Sequence, residues 1–230
     1  MINNQLQQII LKFLSTTKSK GTYLETGFLH GDSVQAALNL GFNNVISIEI
    51  NKKFVEAGEK RFYEEIKQKK VKIYLGDSSK MIKKLFGKKI SIIFLDAHGY
   101  YNEGNKDKEI APLEQELKFI IRNLGENQML IVDDYIKIKH SFLFAQGDWK
   151  SRFSNKELKN IISNQKILSF ELPYKSNSYL ILTKNKKFKL SLFFRLNIFF
   201  KYIFYITFYL EFFKLFTFHN FRRKPKRTSP

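Results

Sequence analysis

Acidic residues stand where several apolar runs of this chain end, at positions suited to ligand binding or catalysis. Runs of four to six apolar residues between polar residues are typical of strands buried on both faces of a parallel sheet. In open α/β sheets, ligands bind outside the carboxyl ends of the strands. Successive acid-bearing strand ends therefore predict one ligand-binding crevice. In chain order the acids are Glu25, Glu49, Asp77, Asp96 and the pair Asp133-Asp134.

The first of these strand ends leads into a glycine turn, Gly27-Phe28-Leu29-His30-Gly31, which Asp32 and Ser33 follow. Glycines let a backbone turn tightly and approach a ligand closely, and the helix start beyond the turn offers free N–H groups. The turn lacks the Gly-x-Gly-x-x-Gly spacing of a dinucleotide site, and Glu25 and Asp32 would repel phosphate. The turn therefore favours a ligand with an ammonium or sulfonium group. A plain structural turn is the alternative.

Two later strand ends carry acids that suit a nucleoside. Glu49 could accept hydrogen bonds from both hydroxyls of a ribose, or it could be a helix-capping or surface residue. Asp77, which Ser78 follows, could bind an adenine amino group, or it could only cap the next helix.

Strand and helix patterns alternate from residue 22 to residue 183, which predicts βαβ units and a mostly parallel sheet. The last two predicted strands, Ile167–Leu172 and Ser178–Thr183, are joined by too few residues for a crossover and must be antiparallel. We therefore predict an α/β fold: a Rossmann-like, seven-stranded, mostly parallel sheet with helices on both faces and an antiparallel last strand. Residues 99–110 are too irregular for a helix and are predicted to form a loop over the crevice.

The composition sets limits on the class of protein. The 230 residues include no Cys, which excludes disulfides, thiolate zinc sites and a Cys nucleophile. Residues 1–20 have no long apolar core with a cleavage site, so we predict an N-terminal helix rather than a secretion signal, and a cytoplasmic location. Residues 21–184 form the predicted main domain and residues 185–230 a C-terminal tail.

The tail holds most of the excess positive charge. Of the formal net charge of +19, residues 184–230 carry +11, and twelve of the 24 Phe lie between residues 188 and 221. The longest charge-free run there, Tyr202–Leu210, is far shorter than the ~20 residues that span a bilayer. An aromatic helix flanked by basic residues suits the surface of an anionic membrane, so we expect peripheral membrane docking. A protein-partner or dimer interface, and packing onto the main domain, are the alternatives.

The order Glu-x-Gly-x-x-x-Gly, strand-end Glu, Gly-Asp-Ser and strand-end Asp resembles the class I S-adenosylmethionine-dependent methyltransferases over roughly residues 20–183. Their antiparallel last strand fits the predicted hairpin. The resemblance implies S-adenosylmethionine as the cofactor, with its methionine part near the glycine turn, its ribose on Glu49 and its adenine near Asp77. The implied cofactor-binding residues are Glu25, Gly27, Gly31, Asp32, Ser33, Glu49, Asp77, Ser78 and Asp96.

A narrower resemblance, to metal-dependent O-methyltransferases of the catechol type and to bacterial sugar and natural-product methyltransferases, involves Asp96, Asp133 and Asp134. It implies that these three acids bind Mg²⁺, which would lower the pKa of a bound acceptor hydroxyl. Without a cation the clustered carboxylates would repel one another and one would stay protonated. The Lys that serves those enzymes as base is absent here, so His98 and Asp96 are the predicted catalytic residues. A hydrogen bond from His98 to a carbonyl is the alternative.

The sequence thus predicts O-methylation of a hydroxyl on a small molecule or a glycan, with Mg²⁺ assistance and the oligomeric state left open. One rival is a membrane-associated, non-catalytic binding module on the same fold. A second is a nucleic-acid methyltransferase, which the charge favours. Enzymes that methylate base amines carry an Asn/Asp-Pro-Pro-aromatic motif where this chain has Asp96-Ala97-His98-Gly99. We therefore do not expect nucleic acid as the substrate.

Overall fold

The computed structural model describes residues 2–97, 112–136, 155–174 and 177–190. Within these ranges, seven strands and seven helices follow one another along the chain. The helices are α1 (Asn4–Thr17), α2 (Asp32–Asn39), α3 (Lys52–Arg61), α4 (Tyr63–Lys67), α5 (Ser78–Leu85), α6 (Leu113–Asn123) and α7 (Asn155–Ser163). The strands are β1 (Thr22–Thr26), β2 (Val45–Glu49), β3 (Val71–Leu75), β4 (Ile90–Leu95), β5 (Met129–Val132), β6 (Leu168–Tyr174) and β7 (Asn177–Thr183).

The strands form one sheet in the order β3-β2-β1-β4-β5-β7-β6. All pairs from β3 to β5 are parallel, whereas β7 runs antiparallel to both β5 and β6. The predicted seven-stranded, mostly parallel sheet with an antiparallel end is confirmed. From β1 the chain proceeds outward to β2 and β3, and it returns to build β4 on the other side of β1. The boundary between β1 and β4 is therefore the switch point at which open α/β sheets bind ligands.

The final hairpin is longer than predicted. Its pairing extends to Tyr174 opposite Asn177, so β6 includes Pro173 and Tyr174, which we had assigned to the turn. Pro is tolerated in β6 because this strand is the outermost of the sheet and one side of its backbone needs no partner. The extension matters because it carries the Tyr174 ring to the carboxyl edge of β5.

Alternate residues of each strand face opposite sides of the sheet. Leu24, Ile93 and Leu130 belong to one hydrophobic cluster, which they share with residues of α5, α6 and α7. The opposite side carries aromatic rings: the Phe94 ring lies 6.5 Å from that of Tyr23 and 6.3 Å from that of Tyr179. In β1, therefore, Thr26 faces the helices α5 to α7, whereas Glu25 faces the aromatic side.

The predicted N-terminal helix is confirmed as α1, which begins after Asn3 because the Asn3 side chain accepts a hydrogen bond from the Leu6 N–H. The chain beyond β7 still packs against the main domain as far as Phe188, whose buried ring contacts Phe13 and Phe170. In the ranges that the structure describes, no helix is long and apolar enough to cross a membrane.

Three predictions concern segments outside the described residues. His98, the loop 99–110 and the tail from residue 191 onward all lie there, so the structure does not test what was predicted for them.

Candidate active site

The carboxyl edge of the sheet places the acidic residues in one row. Backbone hydrogen bonds continue past the strand ends, so each strand-end segment is fixed to its neighbour. Because these bonds cross the switch point, the acids that follow β3, β4 and β5 lie along the same edge as Glu49. The bonds run from Gly76 N–H to Glu49 O (2.8 Å), Gly27 N–H to Ile48 O (2.9 Å), Asp96 N–H to Thr26 O (3.0 Å) and Asp133 N–H to Leu95 O (3.0 Å).

The glycine turn needs both of its glycines. Gly27 has φ +84°, and a Cβ there would lie 2.6 Å from the Asp96 carbonyl oxygen. Gly31 has φ +78°, and a Cβ there would lie 2.6 Å from the buried Phe28 ring. Leu29 between them also has a positive φ, 48°. The turn therefore brings its backbone directly against the end of β4, a close approach that glycine allows.

Glu49 holds this turn in place. One carboxylate oxygen accepts a hydrogen bond from the Leu29 N–H (3.0 Å), and the other accepts one from the Asn51 N–H (2.8 Å). Each oxygen of an ionised carboxylate has a second lone pair, so Glu49 can still accept hydrogen bonds from two hydroxyl groups of a ligand. The next residue, Ile50, is 63% exposed, which is unusual for a large apolar side chain at a crevice edge.

Glu25 lies inside β1 rather than at its end, and its side chain is completely buried. Ser47 Oγ donates a hydrogen bond to one of its oxygens at 2.7 Å, and the other has no partner of ordinary geometry. Burial raises the pKa of Glu25 to about 7, although the hydroxyls of Ser33, Ser47 and Tyr23 oppose the shift. In this geometry the Glu25 side chain joins β1 to β2 through Ser47. Its contact with the cofactor stays a prediction.

Asp32 begins α2 and is exposed, and it forms an ion pair with Arg61 at 3.0 Å. The same guanidinium donates a hydrogen bond to the His30 carbonyl oxygen. Arg61, at the end of α3, therefore fixes the far side of the glycine turn. Ser33 is buried behind it.

Asp77 caps α5. Its Oδ1 accepts hydrogen bonds from the backbone N–H (2.9 Å) and the hydroxyl (2.7 Å) of Ser79. Burial alone would raise the pKa of Asp77, but the bonds from Ser79 and the charge of Lys80 together lower it. The capping alternative is thus present in the structure. Binding of an adenine amino group would have to use the second oxygen, which Lys80 approaches to 3.5 Å. Ser78 is buried at the first position of α5.

Asp96 and Asp133 form the acidic centre of the edge, since they follow the adjacent strands β4 and β5. Burial, and then repulsion from Asp133, raise the pKa of Asp96 well above its ordinary value, and Asp134 and Glu25 add to the shift. An acid that is buried beside another carboxylate is harder to ionise, so Asp96 tends to keep its proton.

Two hydrogen bonds to one carboxylate oxygen hold the Asp133 side chain in place. The Asp134 N–H donates to Oδ1 at 2.6 Å, and the Tyr174 hydroxyl donates to the same oxygen. The Tyr174 ring stacks on the buried Tyr179 ring, with centroids 4.2 Å apart. Burial and the charge of Asp133 raise the pKa of both phenols well above the ordinary value, so both remain protonated donors.

The described residues do not show the predicted three-acid metal site. Among the described residues, which include Asp96, Asp133 and Asp134, no group of three or more His, Asp or Glu side chains could hold a metal ion. One oxygen of Asp133 already accepts two hydrogen bonds. Binding of Mg²⁺ by Asp96, Asp133 and Asp134 stays a prediction, and we derive no chemical step through it.

Four residues of this edge did not stand out in the sequence. Tyr174 was assigned to a turn, and Ile50 is one apolar residue among many. Arg61 lies near the glycine turn only because α3 folds back along it. Glu116 is completely buried, although an acid near the start of a helix also suits the helix dipole at an exposed position. A sequence signal existed only for Ile50, as an apolar residue directly after a strand-end acid.

No protein-family model and no curated protein sequence matches this chain. Solved structures do match it. The S-adenosylhomocysteine-bound methyltransferase PaMTH1 of Podospora anserina is similar with a TM-score of 0.52 and 17% identity, over 80% of this chain and 79% of that one. A putative caffeoyl-CoA O-methyltransferase from Staphylococcus aureus has a TM-score of 0.55 and 15% identity, over 80% of this chain and 85% of that one. A putative rRNA-methylase from Clostridium thermocellum has a TM-score of 0.55 and 13% identity, over 80% of this chain and 98% of that one.

The chain has the class I S-adenosylmethionine-dependent methyltransferase fold. The predicted resemblance is therefore confirmed for the architecture of residues up to β7. Several structures with this methyltransferase fold were solved with S-adenosylmethionine or S-adenosylhomocysteine bound. The names of the similar structures include both O-methyltransferases and an rRNA-methylase, so the acceptor has to be argued from the site itself.

Proposed function

We propose that this protein transfers a methyl group from S-adenosylmethionine to a hydroxyl group of a small molecule or a glycan. The observation that carries the proposal is the attachment of the glycine turn to Glu49 at the switch point of the sheet, through the bond from the Leu29 N–H. This attachment sets a tight backbone turn and a carboxylate beside each other, which suits an aminoacyl group next to a ribose.

The residues present fit the proposed cofactor. The turn at Gly27 leaves no space for a Cβ and brings backbone atoms close to the ligand space, while Glu49 keeps lone pairs for the ribose diol. The exposed Ile50 side chain can pack on the face of the adenine ring. When bound, the cofactor supplies an electrophilic methyl group on a cationic sulfur, next to an edge lined with carboxyl groups.

The acidic centre can serve the acceptor. Asp96 and Asp133 follow β4 and β5, on one side of β1. A carboxylate of this pair can accept the proton of the acceptor hydroxyl while the hydroxyl oxygen takes the methyl group from the cofactor sulfur. Tyr174 and the Asp134 N–H hold Asp133 in one orientation, so the proton acceptor is fixed relative to the methyl donor. His98, beyond the described residues, remains a predicted second base.

Calorimetric titration of the full-length protein with S-adenosylhomocysteine, with and without Mg²⁺, tests the cofactor proposal. We expect micromolar binding, and a loss of at least about tenfold in Glu49→Gln, since the amide cannot accept on both sides. The control is Glu56→Gln on α3, whose exposed side chain pairs with Lys52. A folded protein without binding would contradict the proposal and favour the non-catalytic binding module.

Acceptor class is tested separately, with radiolabelled S-adenosylmethionine offered to phenols, sugar nucleotides, oligosaccharides and RNA. We expect transfer to a hydroxyl-bearing small molecule or glycan. Transfer to a base amine of RNA would replace the O-methylation proposal by the nucleic-acid alternative.

A further inference from the structure

Glu116 is, with Glu25, one of two completely buried acids among the described residues, and the methyl-transfer proposal gives it no role. It lies in the first turn of α6 and is completely buried, and neither carboxyl oxygen has a hydrogen-bond partner of ordinary geometry. The hydroxyl of Thr26, also completely buried, is in the same situation. Buried polar groups normally find partners because leaving them unpaired costs free energy. Two such groups near one ligand edge need an explanation.

The groups around Glu116 locate it beneath the cofactor side of the crevice. The hydroxyls of Ser78 and Thr26 are close enough to influence its ionisation, and so is the charge of Asp77. Thr26 ends β1 immediately before Gly27, and Ser78 begins α5 immediately after Asp77. Glu116 therefore stands between the strand that leads into the glycine turn and the helix start that would face the adenine.

We propose that Glu116 is a positioning residue for the cofactor, which links Thr26 at the end of β1 to Ser78 at the start of α5 through its carboxyl group. This inference rests on the proposed function, because the two linked elements are the ones assigned to opposite ends of S-adenosylmethionine. Glu116 does not contact the cofactor in this proposal; it sets the separation of the elements that do.

Burial and the nearby charge of Asp77, rather than the hydrogen bonds themselves, favour the neutral carboxyl group of Glu116. A protonated Glu116 can donate to one hydroxyl and accept from the other, and a carboxylate can accept from both, so either form can make the link. Burial raises the pKa of Glu116 to about 7; the Ser78 and Thr26 hydroxyls oppose this shift, and Asp77 adds to it. On α6 itself, Glu114 pairs with Lys118, and on α5 Lys80 pairs with Asp77. Ionisation would set a charge against Asp77 in a dry site and would push the start of α6 away from α5.

The test is the affinity of the full-length protein for S-adenosylhomocysteine at about pH 6 and about pH 8.5. The variants are Glu116→Gln, which keeps the size and both kinds of hydrogen bond but cannot ionise, and Glu114→Gln as the control from the same helical turn. Glu25 also titrates near neutral pH, but it does so in all three proteins. The quantity that decides is therefore the affinity ratio between Glu116→Gln and the wild type.

We expect this ratio to rise at least about fivefold in favour of Glu116→Gln from the lower to the higher pH, with Glu114→Gln following the wild type. Thr26→Val, which keeps the shape but removes the hydroxyl, should weaken S-adenosylhomocysteine binding at the lower pH by about threefold to tenfold. If Thr26 and Glu116 act together, the same substitution should weaken binding by much less when it is made in the Glu116→Gln variant. A merely structural Glu116 would shift the melting temperature and leave the affinity ratio constant.

If the affinities of the wild type and Glu116→Gln for S-adenosylhomocysteine depend on pH in the same way, this inference alone is overturned. Absence of binding to a folded wild-type protein at both pH values would overturn the proposed function, and this inference with it. If Glu116→Gln fails to fold, Thr26→Val and Ser78→Ala decide: unchanged affinity in both would count against the link.

Discussion

At the scale of single residues, the buried Glu25 should make folding stability depend on pH. Its pKa is raised from 4.5 to about 7 by burial, so the folded state binds a proton that the unfolded chain releases. The stabilising effect of that proton is complete below about pH 4.5, and it is lost as the pH rises through about 7. Glu25→Gln removes this dependence. We expect the difference in unfolding free energy between variant and wild type to change by about 2–3 kcal/mol in favour of the variant from pH 5 to pH 8.

Urea unfolding at the two pH values measures this difference. Glu59→Gln, at an exposed position of α3, serves as the control and should change little. An unfolding free energy of Glu25→Gln that runs parallel to the wild type across this range would mean that Glu25 stays ionised in the folded protein.

Gly27 gives a second prediction at this scale. Gly27→Ala would have to adopt a positive φ and would press its Cβ against the Asp96 carbonyl oxygen, so we expect a loss of about 2–4 kcal/mol in stability and no measurable S-adenosylhomocysteine binding. Gly87→Ala is the matched control because its Cβ would meet nothing within 4 Å. Thermal unfolding and calorimetric titration of both variants check the prediction, and equal behaviour of the two would contradict it.

At the scale of elements, the β6–β7 hairpin carries Tyr174 to Asp133. Tyr174→Phe keeps the stacking on Tyr179 but removes the hydroxyl that donates to Asp133. We expect a loss of about 1–3 kcal/mol in stability, as for a hydrogen bond to a charged group, and a lower kcat with little change in the KM for S-adenosylmethionine. Tyr63→Phe, at an exposed ring on α4, is the control. A change in cofactor KM alone would assign Tyr174 to the cofactor side instead.

Much of this architecture could be predicted because parallel strands impose continuous apolar runs, and their ends are visible as acids. Glu49 and Asp96 were assigned correctly to the ends of β2 and β4 for this reason. Glu25 was assigned to a strand end but lies inside β1, because a buried acid that bonds to Ser47 interrupts the apolar pattern without ending the strand.

Glu116 and Tyr174 could not be predicted because their environment depends on contacts between elements. An acid in the first turn of a helix suits the positive end of the dipole whether its face is exposed or buried. Only the packing of α6 against α5 decides that Glu116 is buried. Tyr174 reaches Asp133 because β7 is inserted between β5 and β6, an order that periodicity along the chain does not reveal.

At the scale of the whole molecule, the charge of residues 184–230 predicts binding to anionic membranes. We expect the full-length protein to sediment with vesicles that contain phosphatidylserine, and to be released at high salt, because salt screens the attraction between basic residues and anionic lipids. A full-length variant should lose most of this binding. It carries Gln in place of Arg222, Arg223, Lys224, Lys226 and Arg227. Equal sedimentation of variant and wild type, or binding to neutral vesicles alone, would contradict the prediction.

The strand order also has a consequence for the time at which each half of the crevice can form. The elements assigned to contact the cofactor, from β1 to β4, come from one continuous stretch that ends near residue 96, and α6, which carries the positioning residue Glu116, is complete at Asn123. The acceptor side needs β5 and the hairpin that closes at Thr183. A chain emerging from the ribosome can therefore assemble its cofactor half while the acceptor half is still being synthesised. Substitutions that retune the hairpin for a new acceptor would then act on the part of the molecule that folds last.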